Sequence, residues 1–272
     1  MAIAGEPSGA AASSEESSAP LPATGAGEMP WSEFRTAVAE LTIFGGATDT
    51  SRLTIGRSAR FYPAVGLLIG LAVSSFDWLL RMFLSQEIAS VLLVGSLALL
   101  SAGRQLDGFA NTADGVIGYR GREWAIATIR DRRIGSSGAA AIAFLLILKV
   151  RSLDLLSDPV RFVGVLLPPM IARTAIVALV FGARAAGSTT TPSRFDAAVS
   201  SRDLAIDAAF AVALTLVFAG ALGLLALILT GLLVVALRLY FDRRLGGVTA
   251  QSLDAGAEIV ETLTLIVFAL GS

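Results

Sequence analysis

The sequence predicts an all-α fold, a polytopic integral membrane helix bundle with about seven transmembrane helices. Two features of the chain indicate this class. Hydrophobic residues make up 54% of its 272 residues and the mean hydropathy is +0.73, whereas apolar residues form roughly 45–50% of soluble domains. The apolar residues are also collected into long runs, and about 20 such residues are enough for a helix to cross a bilayer.

The N-terminal part of the chain is too small and polar to pack a core. Residues 1–30 are dominated by Ala, Ser, Gly, Pro and Glu and predict a disordered tail. They have neither the basic start nor the apolar centre of a signal peptide. The next segment, "WSEFRTAVAELTIFG", places Phe34, Val38 and Leu41 on one helical face, which predicts an interfacial helix. Residues 31–272 are predicted to form a single transmembrane helical domain.

Apolar segments follow this helix at 62–80, 87–103, 136–150, 160–183, 204–237 and 256–271. Most of them are long enough to span a bilayer, although the third and the last are short. The segment 204–237 is too long for one span and short for two. Gly220 and Gly223 lie near its middle and are compatible with a tight hairpin, which would bring the number of spans to about seven.

The distribution of arginine favours that hairpin. If the chain turns back near 220, most basic residues fall on one side, in the loops near 51–61, 104–135, 184–203 and 238–250. The other side keeps only Arg81, Lys149, Arg151 and Arg161. Because an excess of Lys and Arg marks the cytoplasmic face, the sequence predicts a multi-pass protein of the cell membrane with cytoplasmic active-site loops.

The chain contains no Cys and no His. This composition excludes disulfides, thiolate nucleophiles, His/Cys zinc sites and histidine acid–base catalysis. Any catalysis must use carboxylates, amides, hydroxyls, Arg, Tyr or the single Lys149. Carboxylates most often support group transfer by holding a divalent metal ion, so a metal-dependent reaction is the chemistry that the composition favours.

The segment "LDGFANTADG", Leu106 to Gly115, interrupts an otherwise apolar region with three polar side chains. Asp107, Asn111 and Asp114 are spaced four and then three residues apart, which places them on one face of a helix. Two carboxylates on that face could flank a phosphate–metal unit, and the Asn111 carbonyl could add a neutral ligand. The alternative is a solvated, glycine-punctuated helix end, since acids are common at the boundary of a span.

The segment "RDRRIGSSGAAA" follows shortly afterwards. Arg130, Arg132 and Arg133 are candidates for clamping phosphate oxygens, and the helix that begins near Ser136 offers free N–H groups to an anion. An ordinary cytoplasmic basic cluster followed by a helix cap is the alternative. The nearby acidic segment favours phosphoryl transfer, because metal-binding acids and arginines are complementary parts of such a site.

A third polar segment, "RRLGGVTAQSLDAGAEIVE", lies near the C-terminus. Its glycine pair allows close backbone approach to a ligand, and Asp254, Glu258 and Glu261 share one helical face. The alternative is a C-terminal amphipathic turn. Arg173 lies inside the apolar segment "PPMIARTAIVALV", and an ionisable group at membrane depth usually faces a partner or a cavity. A structural ion pair and ligand binding both remain open for it.

These segments together resemble the cobalamin synthase family, the adenosylcobinamide-GDP ribazoletransferases. The resemblance is carried by "GRSARFYPAVGLLIG", "LDGFANTADGVIGY", "IRDRRIGSSGAAAIAFLLILK" and "RRLGGVT", and it extends from about Phe34 to the C-terminus. Its most specific part is the pattern D-G-x-x-x-T-A-D-G followed by R-D-x-x-I-G-x-x-G.

The resemblance implies a Mg²⁺-dependent phosphotransferase. The hydroxyl of α-ribazole, or of its 5′-phosphate, would attack the cobinamide-bound phosphate of adenosylcobinamide-GDP, giving adenosylcobalamin or its phosphate and GMP. Catalytic roles are expected for Asp107, Asp114 and Asp131, with Asp107, Asn111 and Asp114 holding the metal. Substrate binding is expected for Arg130, Arg133, Arg173, Ser136, Gly247 and Thr249.

The chain departs from the family pattern at several polar positions. The family has an aspartate where Asn111 stands, commonly a histidine where Gln105 stands, and an aspartate where Gln251 stands. A site that lacks two negative ligands binds Mg²⁺ more weakly, although Asp254 is placed to substitute from one helical turn further along.

Three hypotheses follow from these matches and departures. The first is a working transferase that acts on adenosylcobinamide-GDP and α-ribazole or its phosphate. The second is a non-catalytic membrane scaffold that binds a corrinoid or a nucleotide, and the third is a transporter. The expected surroundings are the lipid bilayer and no nucleic acid, and the sequence leaves a homo-oligomer open.

Overall fold

A computed structural model describes residues 30–45, 57–131, 133–187 and 199–272. In these residues the secondary structure is helical, apart from one isolated β-bridge between Ala185 and Val248. Residues 1–29 of the tail predicted at 1–30 lie outside the described residues, as does the predicted phosphate-binding Arg132, whereas Pro30 begins the first helix. The helices are α1 (Pro30–Leu41), α2 (Tyr62–Leu80), α3 (Gln86–Leu100), α4 (Arg104–Ile117), α5 (Arg122–Arg130), α6 (Ser136–Leu155), α7 (Asp158–Val180), α8 (Ser201–Leu245) and α9 (Ala250–Leu270), with a 3-10 turn at Ala59–Phe61.

Several helices are long and apolar enough to cross a membrane. By length and composition they are Ala59–Leu80, Asp158–Val180 and Ser201–Leu245, and α3 with α4 would make a fourth if the bent pair is one span. The chain bends by 88° between α3 and α4, where Ala102 and Gly103 both have positive φ. The all-α class is therefore confirmed, while this criterion yields three or four spans among the described residues rather than seven.

Helix α7 lies at the centre of the bundle, packed between α2 and α9. Its side chains are buried along almost the whole length, including Leu166, Leu167 and Met170. Small residues on α2 let the two backbones approach closely: a Cβ on Gly66 would lie 2.6 Å from the carbonyl oxygen of Pro169, far inside normal contact distance. The apolar content of the chain thus forms a core, and α7 is the most buried of the three long apolar helices.

The long helix α8 is interrupted at Gly220, which has φ 51° and ψ −128°. A Cβ on Gly223 would lie only 2.6 Å from the carbonyl oxygen of Thr215, whereas residues eight apart in a continuous helix are separated by about 12 Å. The chain therefore folds back here, and the predicted turn near Gly220 and Gly223 is confirmed. Glycine is needed at 220 because its φ is positive.

The two ends of the bundle differ in chemistry. At one end Tyr62, Arg104 and Ala250 line a common cavity, and this end is called the cavity end. At the opposite end buried Arg161 donates to both oxygens of Asp77, at 2.8 and 2.9 Å, and ties α7 to α2. A buried ion pair with both partners satisfied fixes the register of two helices. At the opposite end, this ion pair therefore sets how α7 packs against α2.

Candidate functional site

The cavity at the cavity end has a volume of about 340 Å³ and is lined mainly by polar side chains. It lies where the bend between α3 and α4 meets α1, α2 and the first turn of α9. Its lining consists of Glu40, Leu41, Tyr62, Ser101, Arg104, Gln105, Asp107, Gly108, Ile176, Ala250, Gln251, Leu253 and Asp254. A concave pocket with several convergent polar groups is the usual form of a small-molecule site.

Two carboxylates face this cavity from different helices, Asp107 on α4 and Asp254 on α9. They come together because Gly108 has no side chain: a Cβ there would lie 2.6 Å from the Cβ of Asp254 and 3.0 Å from its Oδ2. Glycine therefore allows α4 and α9 to cross in contact. Asp254 was predicted to take the place of the acid that is missing at position 251. Its placement is consistent with that prediction, because Asp107, Gln251 and Asp254 line the same cavity.

The cationic group of the cavity is Arg104, which begins α4 one helical turn before Asp107. Its guanidinium donates to the carbonyl oxygen of Glu40 at the end of α1. This contact holds α1 against the bend, so that Glu40 and Leu41 form one wall of the cavity. An arginine beside two carboxylates gives the site both charges that a metal-bound diphosphate requires.

Asp114 has a different environment from Asp107. Its Oδ2 accepts the backbone N–H of Gly135 and its Oδ1 accepts that of Gly138, both at 2.7 Å. Asp114 therefore caps the start of α6, where four N–H groups have no partner within the helix. Both glycines are required because a Cβ on either would collide with the Asp114 carboxylate. Asp114 does not line the cavity.

Asn111 lies between the two aspartates on α4 and is 1% exposed. Neither its Oδ1 nor its Nδ2 has a hydrogen-bond partner. A buried amide without partners is rare in folded proteins and calls for a water, an ion or a ligand beside it. This is the environment in which a neutral oxygen ligand, as predicted for Asn111, would be used.

The basic segment after α5 is exposed. Arg133 forms an ion pair with Asp131 at 2.8 Å, and this guanidinium keeps the pKa of the Asp131 carboxyl below its usual range. Arg130 points elsewhere and donates to the carbonyl oxygens of Ala186 and Gly187. Ser136 is the first residue of α6 and is exposed. None of the four predicted residues, Arg130, Asp131, Arg133 and Ser136, lines the cavity.

The glycine pair before α9 serves a close backbone contact. Gly247 has φ 149° and lies against the backbone of Arg184, and a side chain there would collide with its carbonyl group. The next residue, Val248, donates its N–H to that same carbonyl oxygen at 2.8 Å. Thr249 caps α9 by accepting the N–H of Ser252. These contacts place the first turn of α9 at the cavity without bringing Gly247 or Thr249 into its lining.

Arg173 is buried and fully engaged with protein partners at its two terminal nitrogens. Nη1 donates to Oε2 of Glu261 at 2.6 Å and Nη2 donates to Oε1 of Gln105 at 2.7 Å. Glu261 and Glu258 both accept from Lys149, at 2.7 and 2.5 Å. The interpretation of this segment as a C-terminal amphipathic turn is therefore wrong, because Glu258 and Glu261 are paired inside the bundle.

The donor set of the cavity fits a magnesium ion that also binds a diphosphate. Mg²⁺ is usually held by one or two carboxylates, with phosphate oxygens and waters completing six ligands. Asp107 and Asp254 supply two carboxylates. The unpartnered Asn111 lies one helical turn after Asp107 on α4 but does not line the cavity. In the described part of the chain no three acidic side chains converge to hold a metal by themselves.

Several cavity residues were not predicted as site residues from the sequence, namely Glu40, Tyr62, Arg104 and Gln105. Asp254, by contrast, was predicted as a substitute for the acid missing at Gln251. Arg104 was detectable, because it precedes Asp107 by three residues and so shares its helical face. Glu40 and Tyr62 carried no such signal, since their helices meet the cavity only through packing.

Comparison with known proteins gives a consistent result. The model of a protein family described as "Cobalamin-5-phosphate synthase" matches residues 33–269. The chain is 32% identical to the adenosylcobinamide-GDP ribazoletransferase of Geotalea daltonii, covering 78% of this chain and 85% of the relative. It is 33% identical to the enzyme of that name from Syntrophobacter fumaroxidans, covering 86% and 97%, and 31% identical to that from Roseiflexus sp., covering 89% and 91%.

No solved structure matches the fold. The family match nevertheless includes every helix that forms the cavity, from α1 to α9. Relatives of the same name align over most of their own length, so the likeness is not confined to one motif. This chain belongs to the Cobalamin-5-phosphate synthase family.

Proposed function

We propose that the chain is a membrane-embedded adenosylcobinamide-GDP ribazoletransferase. It would join adenosylcobinamide-GDP to α-ribazole or its 5′-phosphate and release GMP. Family membership over residues 33–269 supports this activity. The observation that assigns this activity to the cavity is that Asp107 and Asp254 line it together with Arg104. A metal-bound diphosphate needs this combination of charges.

In this mechanism Asp107 and Asp254 would hold Mg²⁺, with Asn111 as a neighbouring oxygen. The ion would supply charge neutralisation of the diphosphate oxygens. The acceptor hydroxyl forms a bond to the phosphorus attached to cobinamide and loses its proton to water, and the bond from this phosphorus to the oxygen of GMP breaks. Arg104 stabilises the negative charge that develops on the leaving GMP. Asp114 acts by capping α6, which fixes the helix packed beside α4.

The proposed setting is the cell inner membrane, with the cavity end facing the cytoplasm. Seven spans result if α3, α6 and α9 cross the bilayer together with α2, α7 and the two arms of α8. Both arms then return to the cavity end, where Val248 bonds to Arg184. The arginine-rich connections would lie on the cytoplasmic side, as the positive-inside rule requires.

The proposal is tested by GMP release from the purified protein in lipid nanodiscs. The substrates are adenosylcobinamide-GDP with either acceptor, assayed with and without Mg²⁺. We expect Mg²⁺-dependent turnover that falls at least about 100-fold in Asp107→Ala and in Asp254→Asn. The same variants should weaken binding of Mn²⁺, measured by electron paramagnetic resonance as a readout independent of turnover. Asp158→Asn, an exposed change at the opposite end, is the matched control.

The absence of turnover with both acceptors would refute the proposal and favour the non-catalytic scaffold. That alternative was motivated by amides at positions 111 and 251. Asp254 argues against it, because a second carboxylate in the cavity restores one of the missing charges. The transporter hypothesis is not favoured, since the cavity lies at one end of the bundle rather than at its middle.

A further inference from the structure

Gln105 stands between the cavity and the buried charges of the bundle. It is the second residue of α4, lines the cavity, and also contacts the small space around Lys149, Arg173 and Glu261. Its side chain is 5% exposed, so its polar atoms require partners. Only one of them has a partner: Oε1 accepts from Arg173, whereas Nε2 has none.

The orientation of the Gln105 amide is determined by Arg173. A guanidinium can only donate hydrogen bonds, so the atom of Gln105 that faces it must be the oxygen. The two N–H groups of Nε2 are thereby directed away from Arg173. A glutamine whose oxygen had no partner could rotate its amide by half a turn and exchange its oxygen and nitrogen. Here that rotation would place the N–H₂ group of Gln105 against the N–H groups of Arg173.

Arg173 is itself held in place by buried ion pairs. Glu261 accepts from Nη1 of Arg173 at 2.6 Å and from Nζ of Lys149 at 2.7 Å, and Lys149 also donates to Glu258 at 2.5 Å. Two positive and two negative side chains therefore balance one another in the interior. Breaking such a group leaves an unpaired buried charge, which is strongly unfavourable. These ion pairs therefore hold the Arg173 side chain in one position. Gln105 joins the network through the hydrogen bond that its Oε1 accepts from Arg173.

We propose that Gln105 is a substrate-binding residue whose Nε2 donates a hydrogen bond to a phosphate oxygen of the bound diphosphate. Arg173 is the positioning residue that orients it. The inference rests on the proposed function and gives a hydrogen-bond donor role to Gln105, a position noted above only as a departure from the family pattern. A diphosphate is the fitting acceptor because it presents several oxygens that only accept, beside the carboxylates expected to hold its metal ion.

The test uses the variant Gln105→Glu. The new side chain has the same shape and keeps an oxygen for Arg173, but it replaces the donating N–H₂ group with an acceptor. We expect the dissociation constant for adenosylcobinamide-GDP, measured without acceptor by equilibrium dialysis in nanodiscs, to rise by at least about 10-fold. KM should rise in parallel. The thermal midpoint should fall but leave the protein folded, because the new carboxylate adds a third negative charge beside Arg173 and Lys149.

A second variant, Gln105→His, keeps the inference testable if Gln105→Glu does not fold. One ring nitrogen of a neutral histidine can accept from Arg173 while the other donates, so this variant should bind the substrate within about threefold of wild type. Asp158→Asn again serves as the control at the opposite end.

Two results would overturn the inference. If Gln105→Glu is folded and binds adenosylcobinamide-GDP as tightly as wild type, Gln105 donates nothing to it. If Gln105→Glu is unfolded and Gln105→His binds at least 10-fold more weakly although it is folded, a donor at this position is not sufficient. Wild-type turnover together with either result would leave the proposed function intact, whereas a wild type that neither binds nor reacts would end both.

Discussion

Replacing Gly108 with alanine should impair catalysis more than it impairs folding. A Cβ at this position would lie 2.6 Å from the Cβ of Asp254 and 3.1 Å from the carbonyl oxygen of Gln251. Carbon atoms in contact prefer about 3.5–4.0 Å, so α4 and α9 must move apart by about 1 Å. Because the Asp254 Cβ is fixed to its helix backbone, a rotamer change cannot relieve this contact.

The size of the effect follows from that displacement. Asp107 and Asp254 lie on the two helices that separate, so a metal ion held by both would lose its geometry. A misplacement of about 1 Å at a reacting centre costs about 100-fold in rate. Stability should change little, since overpacking costs about 1–3 kcal/mol and alanine gains about 1 kcal/mol over glycine in a helix.

The assay is GMP release by Gly108→Ala, with Gly95→Ala as the matched control. Gly95 also lies within a helix, but no atom comes within 4 Å of a Cβ placed there. The control should therefore keep wild-type kcat/KM while Gly108→Ala loses about 100-fold. If the two variants have the same kcat/KM within about twofold, contact between α4 and α9 does not set the geometry of the site.

Two further predictions concern stability. Asp114→Ala should lower the free energy of unfolding by about 1–3 kcal/mol, because two N–H groups at the start of α6 lose their acceptor; an unchanged thermal midpoint in nanodiscs would contradict the capping role. Lys149→Met should destabilise the protein by about 3–5 kcal/mol by leaving Glu258 and Glu261 without their shared cation. Arg151→Met, which removes an exposed charge nearby, should change the midpoint little, and equal losses in both variants would refute the argument.

Much of the architecture was predictable because it depends on local sequence. The apolar runs predicted an all-α bundle, and the observed α2 and α7 match the predicted segments 62–80 and 160–183 closely. The turn in α8 was also predictable, since a long apolar segment with central glycines has few other solutions. The number of membrane spans was harder to predict. Helix α3 has 15 residues and is shorter than a typical span of about 17–25. Helices α6 and α9 are long enough, with 20 and 21 residues, but both contain charged side chains.

The candidate site was predicted in part. Asp107 lines the cavity as the acidic motif indicated, whereas Asp114 caps α6 and Arg130 holds the loop at Ala186. Asp107 and Asp114 belong to one motif and Arg130 to the motif that follows it, and all three were predicted as site residues. Which of them reaches the cavity depends on where α6 begins relative to α4, and spacing along one helix contains no information about a neighbouring helix.

The sequence by itself determined the helical class, the lipid-compatible surface and the restriction to carboxylate, amide and arginine chemistry. These follow from composition and periodicity, which act through local burial and backbone preference. Only the tertiary structure decided that Asp254 lies opposite Asp107 and that Arg173 orients Gln105 rather than facing solvent. Such pairings join residues far apart in the chain, and they are fixed by close crossings of helices and by the need to pair every buried charge.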